Sequence, residues 1–422
     1  MPSIWASAYS GSVASFTKLM RGVRVADESH RVTRFELFFD LVFVFAFTQV
    51  TQLMAQDQTA MGVLQAMIIL ALLWWCWTGY GWLANQTRVD EGIMRFGVCI
   101  AVVAMFVVAF VIPEAFRDRQ SGNLYSPLVF AIAYSIARLM NLALYFLAAR
   151  GDLRLKRQVG RTAGLVAVGC ALVVTGSLLR GNAQTWLWLA GFLVDFALTF
   201  FTSSGRRLEH TGGDWRVRSV AHWTERYGLV VILALGESII AIGVGAAQLP
   251  IGWSVLAAAV LGVVLAICLW WLYFDVIAIA AEQIFSQTEG RTRARLAIDA
   301  YSYLHLALIA GVVISALGIE EVLAHVDSSG HLGLYGACAL MGGTSLYLGG
   351  HAAFWKRVGH IWKPDRLLAA AALLGLIPVA AIVSPLIALV LVVVVLVGTV
   401  TFERLRYADQ RAAVRRRPGE IT

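Results

Sequence analysis

Long apolar stretches alternate with short polar ones along the whole chain. A helix crossing about 30 Å of hydrocarbon needs about 20 mostly apolar residues. Stretches of that kind run over residues 35–54, 61–83, 94–112, 127–149, 160–180 and 185–204. A second set runs over 226–247, 252–281, 297–318, 333–354, 365–382 and 384–402. The pattern therefore predicts twelve transmembrane helices and an all-α integral membrane protein. The last two are parted only by Ser384-Pro385. They are a hydrophobic hairpin with a tight turn, because one span of that length is far too long for the bilayer.

The polar stretches are not equivalent. Thirty of the 34 basic residues fall in one alternating set of segments, and only Arg117, Arg119 and Arg180 in the other, with Arg138 inside a span. Cytoplasmic loops carry the excess of Lys and Arg. This asymmetry predicts an even number of spans in the inner (cytoplasmic) membrane, with both termini cytoplasmic. The first 34 residues lack the apolar core and cleavage site of a signal peptide. Residues 4–25 mix Trp5, Tyr9, Phe16 and Leu19 with Lys18, Arg21 and Arg24, and read as an interfacial helix or a disordered tail.

Composition narrows the function classes. The 422 residues are 59% hydrophobic and only 14% charged, far from the balance of a soluble domain. The net charge of +8 is an orientation signal rather than a nucleic-acid footprint. The run Arg415-Arg416-Arg417 reads as anionic-lipid contact. All five cysteines (Cys76, Cys99, Cys170, Cys268 and Cys338) lie inside spans and read as small core residues.

The two halves resemble each other. His30-x-x-x-Arg34-Phe-x-Leu opens the first span and His222-x-x-x-Arg226-Tyr-x-Leu the seventh. Trp74-Trp75 follows the first arginine by 40 residues, and Trp270-Trp271 follows the second by 44. Two matches in order at similar spacing indicate duplication. The expected layout is a cytoplasmic segment 1–34, a six-helix repeat 35–204, a linker 205–225, a second repeat 226–402 and a basic tail 403–422. Six is an even number, so the repeats are parallel, and transport paths lie at such repeat interfaces.

The candidate chemistry is the charge left inside the spans. Insertion scales put an Asp, Lys or Arg at a helix centre roughly 2.5–3.5 kcal/mol uphill. The candidates are Glu36, Asp40, Arg138, Asp195, Glu237 and His305, joined by His30, Arg34, His222 and Arg226 of the repeat motif. Glu36 and Asp40 are four apart and share a helix face. Carboxylates that close repel unless a cation or proton intervenes. Glu237 lies about 16 Å along the helix from Arg226, near the midplane. Small neighbours flank it in Leu235-Gly236-Glu237-Ser238 and permit close helix approach. The residues support either a proton- or cation-responsive site with Arg138 as counter-charge, or a structural salt bridge of Arg138 with Asp195 or Glu237. His305 and His351 read as proton relays or as packing hydrogen-bonders. No spacing resembles a closed metal site. No nucleotide loop or serine-nucleophile motif occurs, so a bound nucleotide or a serine nucleophile has no support and no cofactor is expected, while enzymatic activity stays open.

Two segments carry a family resemblance. Arg34-Phe35-Glu36-Leu37-Phe38-Phe39-Asp40-Leu41-Val42-Phe43-Val44, and His222-Trp223-Thr224-Glu225-Arg226-Tyr227-Gly228-Leu229 through Leu235-Gly236-Glu237-Ser238, resemble the two signatures of the bacterial low temperature requirement A (LtrA) proteins. The first span is also similar, more distantly, to the opening helix of the lysosomal-type potassium channels, which are built from six-helix units. Arg34 and Asp40 carry that likeness, while Phe39 stands where that family has serine, and Leu41 where it has glycine. The expectation is a transporter or channel for a small ion or solute, proton-coupled, in contact with membrane lipid and able to form a homo-oligomer. The alternatives are a lipid-related membrane enzyme and a membrane sensor or scaffold acting in cold adaptation.

Overall fold

A bilayer offers no water to backbone N–H and C=O groups, and a helix satisfies them within each crossing segment. The computed structural model describes residues 24–116, 124–203, 216–247, 249–327 and 330–415. Nearly all of the segment read as an interfacial helix, and Arg416 and Arg417 of the tail, lie outside the described residues.

Among the described residues the protein is helical throughout, with no β-strand. The helices are α1 (Arg34–Gln56), α2 (Ala60–Gln86), α3 (Gly92–Val111), α4 (Ser126–Ala148), α5 (Leu153–Leu179) and α6 (Gly181–Ser203). Then come α7 (Val220–Ala246), α8 (Trp253–Phe274), α9 (Ile277–Ser286), α10 (Gly290–Leu296) and α11 (Leu304–His325). The chain ends with α12 (Gly333–Ala337), α13 (Gly343–Gly359), α14 (Pro364–Ile382), α15 (Pro385–Arg406) and α16 (Ala408–Arg415). Wider π turns over Ala297–Tyr303 and Cys338–Gly342 join α10 to α11 and α12 to α13.

Among the described residues ten helical segments are long and apolar enough to cross a membrane, and the protein is an all-α polytopic membrane protein. The two further spans expected near 185–204 and 333–354 are helical, as α6 and as α12 with α13, but are not among those ten. Only Val383 and Ser384 part α14 from α15. Pro385 opens α15, a first-turn position where the missing N–H has no intrahelical partner to lose.

Contacts divide the chain into two compact units, residues 1–42 with 75–223, and residues 43–74 with 224–422. Within the first, α3 packs on α4 and α5 on α6. The α5–α6 contact is a glycine contact: a Cβ on Gly169 stands 3.2 Å from the Gly191 carbonyl, and one on Gly191 stands 3.1 Å from the Gly169 carbonyl. Small residues let membrane helices approach to backbone contact, where dispersion rather than hydrophobicity holds them. Beside them Trp188 stacks on Phe130 at 4.5 Å and gives its indole N–H to the Val173 carbonyl at 2.9 Å.

Within the second unit, α11 and α13 form the tightest pair. A Cβ on Gly311 lies 2.5 Å from the Tyr347 nitrogen, and one on Gly318 lies 2.4 Å from the Leu340 nitrogen. No side chain fits at either position without parting the helices.

Candidate functional site

The first turn of α1 is built by Thr33 and Glu36. The Thr33 hydroxyl accepts from the Glu36 N–H (3.3 Å), and Glu36 Oε1 accepts from the Thr33 N–H (3.2 Å) and hydroxyl (3.0 Å). This reciprocal capping box satisfies backbone donors that a helix start leaves open. Ser219 caps α7 by accepting from the His222 N–H at 3.1 Å, and its hydroxyl donates to the His30 carbonyl at 2.7 Å. Capping therefore ties the segment before α1 to the start of α7.

These ties bring His222 to His30 and Glu36, which precede it by more than 180 residues. His222 Nε2 stands 2.8 Å from Glu36 Oε2, and His30 Nε2 stands 4.0 Å from Glu36 Oε1. The two imidazoles, one from each repeat motif, stack at 4.8 Å with their planes 19° apart. All three side chains are buried. Burial pushes the His30 imidazole below the ordinary histidine value, and His222 acts in the same direction. Asn85 sets the His222 tautomer. Its Oδ1 accepts from the Arg218 N–H (2.7 Å), and its Nδ2 donates to the Ser219 carbonyl (2.7 Å) and faces His222 Nδ1 at 3.3 Å. With an amide donor at Nδ1, the ring proton sits on Nε2 and points at Glu36.

The other sequence candidates have separate settings. Asp40, one turn beyond Glu36, accepts from the Trp77 indole N–H at 2.8 Å, so different donors hold the two acids. Of the two partners left open for Arg138, Asp195 takes it, with Nη2 at 2.6 Å from Oδ2. Arg138 Nη1 reaches the Trp75 carbonyl at 3.4 Å. Gly79 leaves room for the guanidinium, since a Cβ there sits 3.3 Å from Nη1.

Glu237 is 1% exposed and accepts from the Thr48 hydroxyl at 2.6 Å. Among the described residues no Lys, Arg or His stands at ion-pair distance from it. His305 has both ring nitrogens engaged, Nδ1 with the Ala300 carbonyl (3.0 Å) and Nε2 with the Tyr273 hydroxyl (2.8 Å). Tyr227, Tyr301 and Phe354 wall it in with ring contacts at 4.9–5.2 Å. Of the repeat-motif arginines, Arg34 is exposed and Arg226 buried.

Among the described residues, sequence reasoning also missed ion pairs near helix ends. Arg366 grips Glu403 with two hydrogen bonds of 2.5 and 2.7 Å and also meets His351. Arg357 pairs with Asp299 at 2.9 Å, and Arg411 with Asp275. Their partners come from different helices, which no local spacing reveals. The Thr33-x-x-Glu36 box is different, because that pattern stands in the sequence just before an apolar run.

The family model for the bacterial low temperature requirement A protein (LtrA) matches residues 31–401. An uncharacterized protein of Rhizobium meliloti (strain 1021) is 29% identical over 340 residues, covering 76% of this chain and 76% of its own. No solved structure matches. The matched region runs from just before the Thr33–Glu36 cap into α15, taking in both signature segments and the acids they carry, and the chain belongs to the bacterial LtrA family.

Proposed function

We propose that this protein moves a small ion or solute across the inner membrane in step with protons, with Glu237 as the group that exchanges its proton or cation during the cycle. The observation that carries the reading is the setting of Glu237. A carboxylate in hydrocarbon needs a cation, water or a proton, and here threonine hydroxyls, Thr48 at 2.6 Å with Thr51 beside it, face it without bringing positive charge. A residue in that state changes occupancy at little cost in structure, as a coupling site must. Arg138 and Asp195 compensate each other and serve the bundle instead.

The charge asymmetry supports cytoplasmic termini, and the paired motifs support two parallel six-helix repeats. The test is purified protein in liposomes holding a pH-sensitive dye, challenged with K⁺ or Na⁺ gradients. Proton movement above that of empty liposomes, lost in Glu237→Gln at equal reconstitution, is the expected result. No flux above empty liposomes for H⁺, K⁺ or Na⁺ overturns ion transport.

A further inference from the structure

We propose that His30, Glu36 and His222 form a binding site for one divalent transition-metal ion, held weakly and exchangeably. The donor atoms of the three residues all lie within 4.8 Å of one another. Two imidazoles and a carboxylate favour Zn²⁺, Fe²⁺ or Co²⁺ over Mg²⁺ and Ca²⁺, which prefer oxygen. Ligands at about 2.0–2.2 Å from a tetrahedral ion stand roughly 3.4 Å apart. The observed separations, 2.8 Å from His222 Nε2 to Glu36 Oε2 and 4.0 Å from His30 Nε2 to Glu36 Oε1, lie on either side of that value, so a small turn of the carboxylate brings one oxygen to ligand distance of both rings.

A second, independent observation comes from His30. Its Nε2 is buried and has no hydrogen-bond partner, although buried ring nitrogens are normally satisfied. An ion between His30 and Glu36 supplies the missing partner. Thr33 already holds Glu36 Oε1 with two hydrogen bonds, an outer shell of the kind that orients metal ligands, and Oε2, which here accepts from His222, turns to the ion once the His222 ring proton moves to Nδ1.

Two features set the strength. An ion takes the Nε2 lone pair of His222 only after the ring proton has moved to Nδ1. There it faces the Asn85 amide hydrogens, whose orientation is fixed by Arg218 and Ser219. The starts of α1 and α7 also present partial positive charge to the ion. Both oppose the metal, so the site exchanges its ion rather than locking it in as a structural zinc centre does.

The experiment uses full-length protein in detergent, with the purification tag removed and metals stripped by chelator. Equilibrium dialysis against Zn²⁺ with elemental analysis gives stoichiometry, and Co²⁺ absorption reports nitrogen ligation. The expected result is one Zn²⁺ per chain, removable by chelator with the protein still monodisperse. His30→Gln and Glu36→Gln each lower the affinity at least tenfold, and His325→Gln does not. His30→Gln is the decisive variant, since its Nε2 makes no hydrogen bond whose loss disturbs folding. Absence of stoichiometric binding in the wild type, or unchanged affinity in monodisperse His30→Gln, overturns the site.

Discussion

Asp195 and Glu237 are both buried acids on apolar helices, and their surroundings differ in kind. Asp195 faces a guanidinium at 2.6 Å, and the same arginine reaches a backbone carbonyl. Glu237 faces a hydroxyl at 2.6 Å. The first acid is one half of a neutral pair, and removing either half strands the other in a medium that cannot solvate it. The second carries no partner's charge and can be neutralised without stranding anything. The position of an acid within a span therefore says less about its role than the charge of the group it touches.

The largest expected effect is on the ion pair. Asp195→Leu leaves Arg138 uncompensated and lowers stability by about 3–5 kcal/mol, read as an early thermal transition in detergent. Arg138→Met with Asp195→Leu restores most of it, because replacing a buried pair with apolar residues is often neutral. A single variant with wild-type stability breaks the contrast. Next comes Thr48→Val, which removes the hydroxyl that Glu237 accepts from. It costs about 1–3 kcal/mol in the same melt and reduces flux, and an unchanged melt means that Thr48 is not the donor holding Glu237. Thr33→Ala probes the remaining kind of buried acid, one tied to a cap. Losing the cap costs about 1 kcal/mol and lowers the melting temperature only slightly. A drop as large as that of Asp195→Leu shows that Glu36 behaves as a charge-paired residue instead. The smallest change in stability is expected from Glu237→Gln. The amide keeps an acceptor for Thr48 and strands no cation, so its melt stays within about 1 kcal/mol of wild type.

Much of this architecture is legible in the sequence because hydrocarbon imposes a length and a polarity on every crossing helix. Ser384-Pro385 marks a real helix break, since proline stops one helix and starts the next. The loop expected around Arg291, Arg293 and Arg295 is instead the helix α10, continuous through a π turn with α11. Long basic side chains can reach the interface from a helix end, so charge alone does not end a helix. Glu36, Asp40, Arg138, Asp195 and Glu237 stand out by type and depth. Their partners do not, because Asp195 meets Arg138 across 57 residues and Glu237 meets Thr48 across 189. The stacking of His30 on His222 is equally silent in sequence. Both residues are visible in the two motifs, but the Ser219 and Asn85 contacts that hold His222 beside His30 are not.

The central claim is that Glu237 is a working group and Asp195 a structural one. Proton-linked flux in liposomes tests it most directly, comparing wild type, Glu237→Gln and the Arg138→Met/Asp195→Leu double variant at equal protein density and confirmed monodispersity. The expected result is flux in wild type, at least a tenfold loss in Glu237→Gln, and substantial flux in the double variant. Full flux in Glu237→Gln contradicts it.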